Sequence, residues 1–136
     1  MNPYLQAFVD YMEEKGVRYI PAEDNCVEIR YNLQHGGSIS IHAIFDKDGD
    51  GKVTLFATNL GRFPEDRLIA GLATCNSLNA HFRWVKFYLD KDFDCCAHCD
   101  AIVDLDTAGA ECFELLQRMV SILDDAYPEL MRALYA

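Results

Sequence analysis

The residues best suited to chemistry in this 136-residue chain are three thiols and an imidazole in the segment Cys95-Cys96-Ala97-His98-Cys99. Thiolates and imidazoles are the usual ligands of tetrahedral zinc, which gathers four of them at about 2.0–2.3 Å. A CxxC pair at a helix N-terminus is also a redox unit, because the helix end lowers the thiol pKa. Both chemistries depend on the element that carries the segment. Read as a strand, it places Cys95, Ala97 and Cys99 on one face and Cys96, His98 and Asp100 on the other. Cys96 and Cys99 then diverge, and Cys95 and Cys99 stand roughly 13 Å apart at the strand rise. No second CxxC completes a set of four. The spacing therefore predicts strand packing and no cofactor. A small metal-binding or redox-responsive site at Cys95, Cys96, His98 and Cys99 is the alternative.

A second pattern, Asp46-x-Asp48-x-Asp50-Gly51, matches the first half of a calcium loop, with oxygen ligands at positions one, three and five and Gly at six. The twelfth position should be a bidentate Glu and is Ala57, and the flanks read as strands where an EF-hand has helices. Asp and Gly are also the residues a tight turn selects, so a structural turn is predicted. No GxSxG elbow, GxGxxG fingerprint or Walker-type loop is present, and the histidines (His35, His42, His81, His98) are scattered along the chain. Asn76 and Asn79 fall near the core side of a helix, where bonding to neighbouring backbone is expected. No catalytic residue emerges, and the expectation is a protein that is not an enzyme.

The elements that would position these residues follow from periodicity. Leu5, Phe8, Val9 and Met12 mark a helix over Tyr4 to Lys15, stopped by Gly16. Val17-Arg18-Tyr19-Ile20 reads as a short strand ended by Pro21. Alternation then predicts strands at Cys26–Tyr31, Ser38–Phe45 and Val53–Thr58, joined by polar turns as an antiparallel meander. Pro64-Glu65-Asp66 opens a helix with the stripe Leu68, Leu72, Cys75, Leu78 and Phe82. Trp84–Leu89 and Cys95–Val103 form a hairpin. A last helix begins at Asp106 or Thr107 and carries a wide apolar face, with Pro128 breaking or kinking it before a final helical piece at Leu130 to Tyr135. Segregated strands and helices in this order predict an α+β domain spanning 1–136.

Composition bounds the function. With 12 Lys+Arg against 22 Asp+Glu the net charge is -10, which opposes nucleic-acid binding. The chain is 51% hydrophobic but has no apolar run near the ~18 residues of a membrane span, so no membrane association is expected. Met1 to Gln6 lacks the basic and apolar regions of a signal peptide, which predicts a cytoplasmic protein with reduced thiols acting as small hydrophobes. Phe82, Trp84, Phe87, Tyr88 and Phe93 cluster around the hairpin, and the last helix is apolar over more than the arc one sheet face needs. The surplus predicts either a second contact with a subunit or partner, or packing against the N-terminal helix.

Four segments together resemble the YbjN family of bacterial sensory-transduction regulators. They are Ser38-Ile39-Ser40-Ile41 to Phe45-Asp46, Asn59-Leu60-Gly61-Arg62-Phe63-Pro64, Leu78 to Asp90, and Met119 to Asp125 with Ala126-Tyr127-Pro128-Glu129-Leu130. The resemblance implies a type III secretion chaperone-like fold of helix, antiparallel meander, helix, hairpin and C-terminal helix. It carries over no catalytic residue. By analogy it implies a regulatory or chaperone-like protein-binding module, a homodimer that holds a partner segment by apolar burial and pairing with a sheet edge. Trp84, Phe87, Met119 and Leu123 are the expected partner-binding residues.

Overall fold

A computed structural model describes residues 1–136. Strand alternation builds one six-stranded antiparallel sheet from β1 (Ile20–Pro21), β2 (Cys26–Asn32), β3 (Ser38–Phe45), β4 (Lys52–Ala57), β5 (Lys86–Leu89) and β6 (Cys95–Ile102), in the order β1-β2-β3-β4-β6-β5. Val27 and Ile29, then Ile39, Ile41, Ala43 and Phe45, then Val53, Leu55 and Ala57 all turn inward and are buried. After β4 the chain crosses a helix, lays β5 at the sheet margin and returns by a hairpin to set β6 beside β4. The structure is the α+β arrangement expected.

Three helices cover the inward face: α1 (Pro3–Glu14), α2 (Leu68–His81) and α3 (Ala108–Tyr135). Asn2 caps α1 by accepting from the Tyr4 and Leu5 amides at 2.8 and 3.3 Å, while its own amide donates to the Asp46 carbonyl at 2.8 Å. Gly16, at φ 73°, closes the other end: its amide bonds Glu13 and the Val17 amide bonds Met12, a Schellman motif. Gly109 lets α3 approach α1, since a Cβ there would lie 2.8 Å from the Ala7 carbonyl oxygen. Beside it the Tyr11 and Phe113 rings meet with centres 5.4 Å apart and planes tilted by 50°, so part of the surplus apolar arc of α3 packs on α1.

Four expectations need correction. Leu72 is not on the buried stripe of α2 but is 52% exposed, and Gly71 takes the inward position. The ring of Phe63 lies where a side chain at 71 would go, 2.8 Å from its Cβ, so only glycine allows that contact and the helix is turned accordingly. Asn76 and Asn79, placed near the core side by the sequence, are both exposed. The strand expected at Val17–Ile20 pairs only through Ile20 and Pro21, which alone reach register with Glu28 and Val27. Finally, α3 runs unbroken for 28 residues through Pro128. A proline leaves the carbonyl four residues earlier without its helical donor. That carbonyl belongs to Asp124, and the turn between β2 and β3 supplies the substitute: His35 Nδ1 lies 3.1 Å from it, and the His35 amide donates to the Asp124 carboxylate at 3.2 Å.

Candidate partner-binding site

The cysteine segment is β6, and the alternation expected of it holds. Cys95, Ala97 and Cys99 join the core under the helices. Cys96 lies outside that core, with its thiol 3.8 Å from an Asp90 carboxylate oxygen and 3.6 Å from the Asp94 carbonyl. The three thiols and His98 therefore do not converge. The neighbouring Cys75 thiol, together with burial, pushes the Cys95 thiol up, and burial raises Cys99. Burial, reinforced by the Asp90 charge, pushes Cys96 to about 11, and burial pushes Cys112 to about 12. Thiols held protonated are poor nucleophiles and poor redox centres.

Those shifts carry a stability consequence. The folded chain holds these protons more tightly than the unfolded chain does, so the stabilisation from the neutral thiols is complete below about pH 9 and drains away as pH rises toward the folded values. The urea midpoint is expected to fall between about pH 9 and pH 10, before tyrosine ionisation dominates, and Cys96→Ala should flatten that fall. A midpoint that stays level over this interval would contradict the burial of the thiols.

Two acidic trios bring carboxylates within 4.8 Å of one another, Asp46/Asp48/Asp50 and Asp90/Asp92/Asp94. Each already meets a basic side chain of the protein. Lys52 Nζ lies 2.6 Å from Asp50, and Arg62 grips Asp94 with bonds of 3.0 and 2.9 Å. The Asp50 carboxylate also accepts from the Lys52 amide, as a turn-forming aspartate does. Both trios serve as turns.

On the solvent face of the sheet, the strand registers set Glu28, His42, Phe56, His98 and Lys86 in one row across five strands. His98 is held by Asp100 at 2.9 Å, Asp100 accepts from the Thr54 hydroxyl at 2.6 Å, and the Tyr88 hydroxyl lies 3.4 Å from His98. The Thr54 hydroxyl, then His98, keep the Asp100 carboxyl below the usual range, while burial raises the Tyr88 phenol. A phenol held protonated is no nucleophile, and the chain of bonds ties three strands together.

Of the four residues expected to meet a partner, three are core. Phe87, Met119 and Leu123 are 2%, 1% and 1% exposed, because α1 and α2 close over the faces that carry them. Phe87 is further engaged through its backbone: the Asn79 side chain accepts from its amide at 2.7 Å and donates to its carbonyl at 3.0 Å, as expected of Asn79. The outer margin of β5 is thus occupied at its centre. Trp84 alone faces outward, at 55% exposure. It is not the first strand residue but the middle of a three-residue turn with φ 69°, closed by the Val85 amide on the Arg83 carbonyl at 2.8 Å. Such a turn is rare and strained for a bulky residue. Val85, the next residue, is buried while Trp84 points into solvent.

Two apolar surfaces remain in the open. The outer side of α2 presents Ile69, 83% exposed, and Leu72. Trp84 and Ile102, the latter 77% exposed, flank a groove of about 600 Å³ between the end of β6 and the first half of α3. Sequence reading missed the first surface and found only Trp84 of the second. The signal for the first was present: α2 has no Asp, Glu, Lys or Arg over its 14 residues, whereas an exposed helix face is ordinarily charged. The second depends on where β6 ends relative to α3, which periodicity does not show.

No protein-family model matches the chain, and no curated protein matches it in sequence. Solved structures do match in fold. YbjN from E. coli, a proposed transcription regulator, superposes with a TM-score of 0.63 at 11% identity over 90% of each chain. A chain of the heterodimeric ExoU-SpcU complex of the Pseudomonas aeruginosa type III secretion system gives 0.56 at 17% identity, over 93% of this chain and 96% of that one. A chain of the ExsC-ExsE complex gives 0.58 at 16% identity, over 97% and 94%. The fold is YbjN-like and type III secretion chaperone-like.

Proposed function

We propose that this chain is a regulatory or chaperone-like protein-binding module, not an enzyme, that pairs with a second copy of itself through the outer side of α2 and holds a segment of another protein on its remaining apolar surface. The observation that carries the reading is the uncharged, exposed side of α2 with Ile69 and Leu72. Two of the structures sharing this fold are complexes with another protein, ExoU with SpcU and ExsC with ExsE, which supports a partner-holding role here. Apolar patches of this kind mark interaction surfaces in water-soluble domains. A metal or redox role for Cys95, Cys96, His98 and Cys99 finds no support in the divergent placement of their side chains.

Size-exclusion chromatography with light scattering tests the pairing. The wild-type chain is expected at twice its 15.4 kDa mass, and Ile69→Asp with Leu72→Asp at the single mass with an unchanged circular-dichroism spectrum. A wild-type chain that elutes as a monomer at every concentration would remove the α2 interface from the proposal.

A further inference from the structure

We propose that the groove beside Trp84 is the seat for a basic, amphipathic segment of a partner protein, which inserts an apolar side chain against Trp84 and Ile102 and sets its cationic groups on the rim. This rests on the partner-binding reading above and assigns that partner its chemistry. Three observations converge. The first is conformational: Trp84, at φ 69°, is held outward in the strained three-residue turn described above, and strain of this sort persists where the surrounding structure imposes it. The second is shape: a groove of about 600 Å³, floored by apolar atoms including Leu115, accommodates a large aliphatic or aromatic anchor.

The third is charge. Glu111 and Glu114, both exposed, line the groove from α3. Arg118 is the single basic residue of the lining, and it is committed: its guanidinium stacks 5.3 Å from the Trp84 ring centre and bonds Glu114 at 3.2 Å. Glu111 meets only the Thr107 hydroxyl, at 2.6 Å, and no cation of the protein. A rim where Glu111 has no cation of the protein, beside apolar lining residues, selects a partner that is apolar in the middle and positive at its edges. The Arg118–Trp84–Glu114 arrangement shows the same preference within the chain, a cation seated between an aromatic face and a carboxylate.

Trp84 is the only tryptophan, so its emission reports on the groove alone. The probe is a synthetic helical peptide with leucines on one face and lysines on the other, compared with the same peptide bearing glutamates in place of lysines. The lysine peptide is expected to shift Trp84 emission to the blue saturably, with affinity falling about tenfold or more as salt rises from low to high, and the glutamate peptide to have no effect. Ile102→Asp adds negative charge on an exposed strand end, so it would strengthen non-specific attraction; at the groove it is expected to abolish the shift. Glu111→Gln is expected to weaken it several-fold. An equal response to both peptides, or a lysine-peptide response unchanged by Ile102→Asp, would overturn the assignment. Light scattering on the same Ile102→Asp protein separates the two readings: a retained dimer leaves the α2 pairing standing when the groove fails, and a blue shift in the Ile69→Asp, Leu72→Asp monomer leaves the groove standing when the pairing fails.

Discussion

Phe87→Ala is expected to lower the stability of the fold by about 3–5 kcal/mol, the range for removing a fully buried phenylalanine side chain. Its ring is 2% exposed and joins the core under α2. Its amide and carbonyl are both engaged by Asn79, so a collapse around the cavity also loosens the tie between β5 and α2. Urea denaturation followed by circular dichroism measures this directly as a drop in midpoint with unchanged slope. Trp84→Ala, a larger truncation, is expected to move the midpoint far less, because the indole is half in solvent and the new residue keeps the same backbone strain. Were the order reversed, with the Trp84 variant much the less stable, the division between core and surface drawn for this hairpin would be wrong.

Gly51→Ala should cost about 2–5 kcal/mol, combining left-handed strain with overpacking against backbone. At φ 84° the residue is already in the region that L side chains avoid, and a Cβ there would lie 2.3 Å from the Val103 carbonyl oxygen. Gly49, two residues earlier, has φ 70° but nothing within 4 Å of its added Cβ, so Gly49→Ala should cost only about 1–2 kcal/mol. The pair separates two explanations of Asp46–Gly51. If the loop served chiefly to hold calcium, calcium would stabilise the wild-type chain and the variants' losses would grow when it is present. As a turn clamped between Val103 and the Asn2 cap, it should show the same gap between Gly51→Ala and Gly49→Ala with calcium or with a chelator, read as thermal midpoints.

Where neighbouring residues alone decide the outcome, the sequence was readable. The strands at 26–31, 38–45 and 95–103, the glycine stop of α1 and the divergence of Cys96 from Cys99 all follow from period and turn chemistry, and the structure agrees to within a residue or two. The departures occur where a distant group intervenes. Phe63 occupies the place of a side chain at Gly71, and His35 Nδ1 sits beside the Asp124 carbonyl that Pro128 leaves without a donor, in a helix expected to break or kink there that runs on unbroken. The candidate site was legible in part for the same reason. An aromatic cluster announces apolar contact but not its direction; burial under α1 and α2 claimed Phe87, Met119 and Leu123 for the interior and left Trp84 outside. The lack of charge along α2 is a local property that periodicity arguments pass over, because they ask where apolar residues recur and not what is missing between them.

The two margins of the sheet bear on what kinds of assembly are open to this protein. One ends in a two-residue strand whose second member, Pro21, has no amide to offer, and the other has its central backbone groups satisfied by Asn79. Strand-by-strand polymerisation, the route by which bare β margins run on into fibrils, is therefore stoppered at both ends. The pairing proposed for α2 would also stay finite, since a helix surface that meets its own copy about a two-fold axis is consumed by one encounter. On the proposed partner-holding reading this has a use, because apolar surface can be displayed without seeding precipitation.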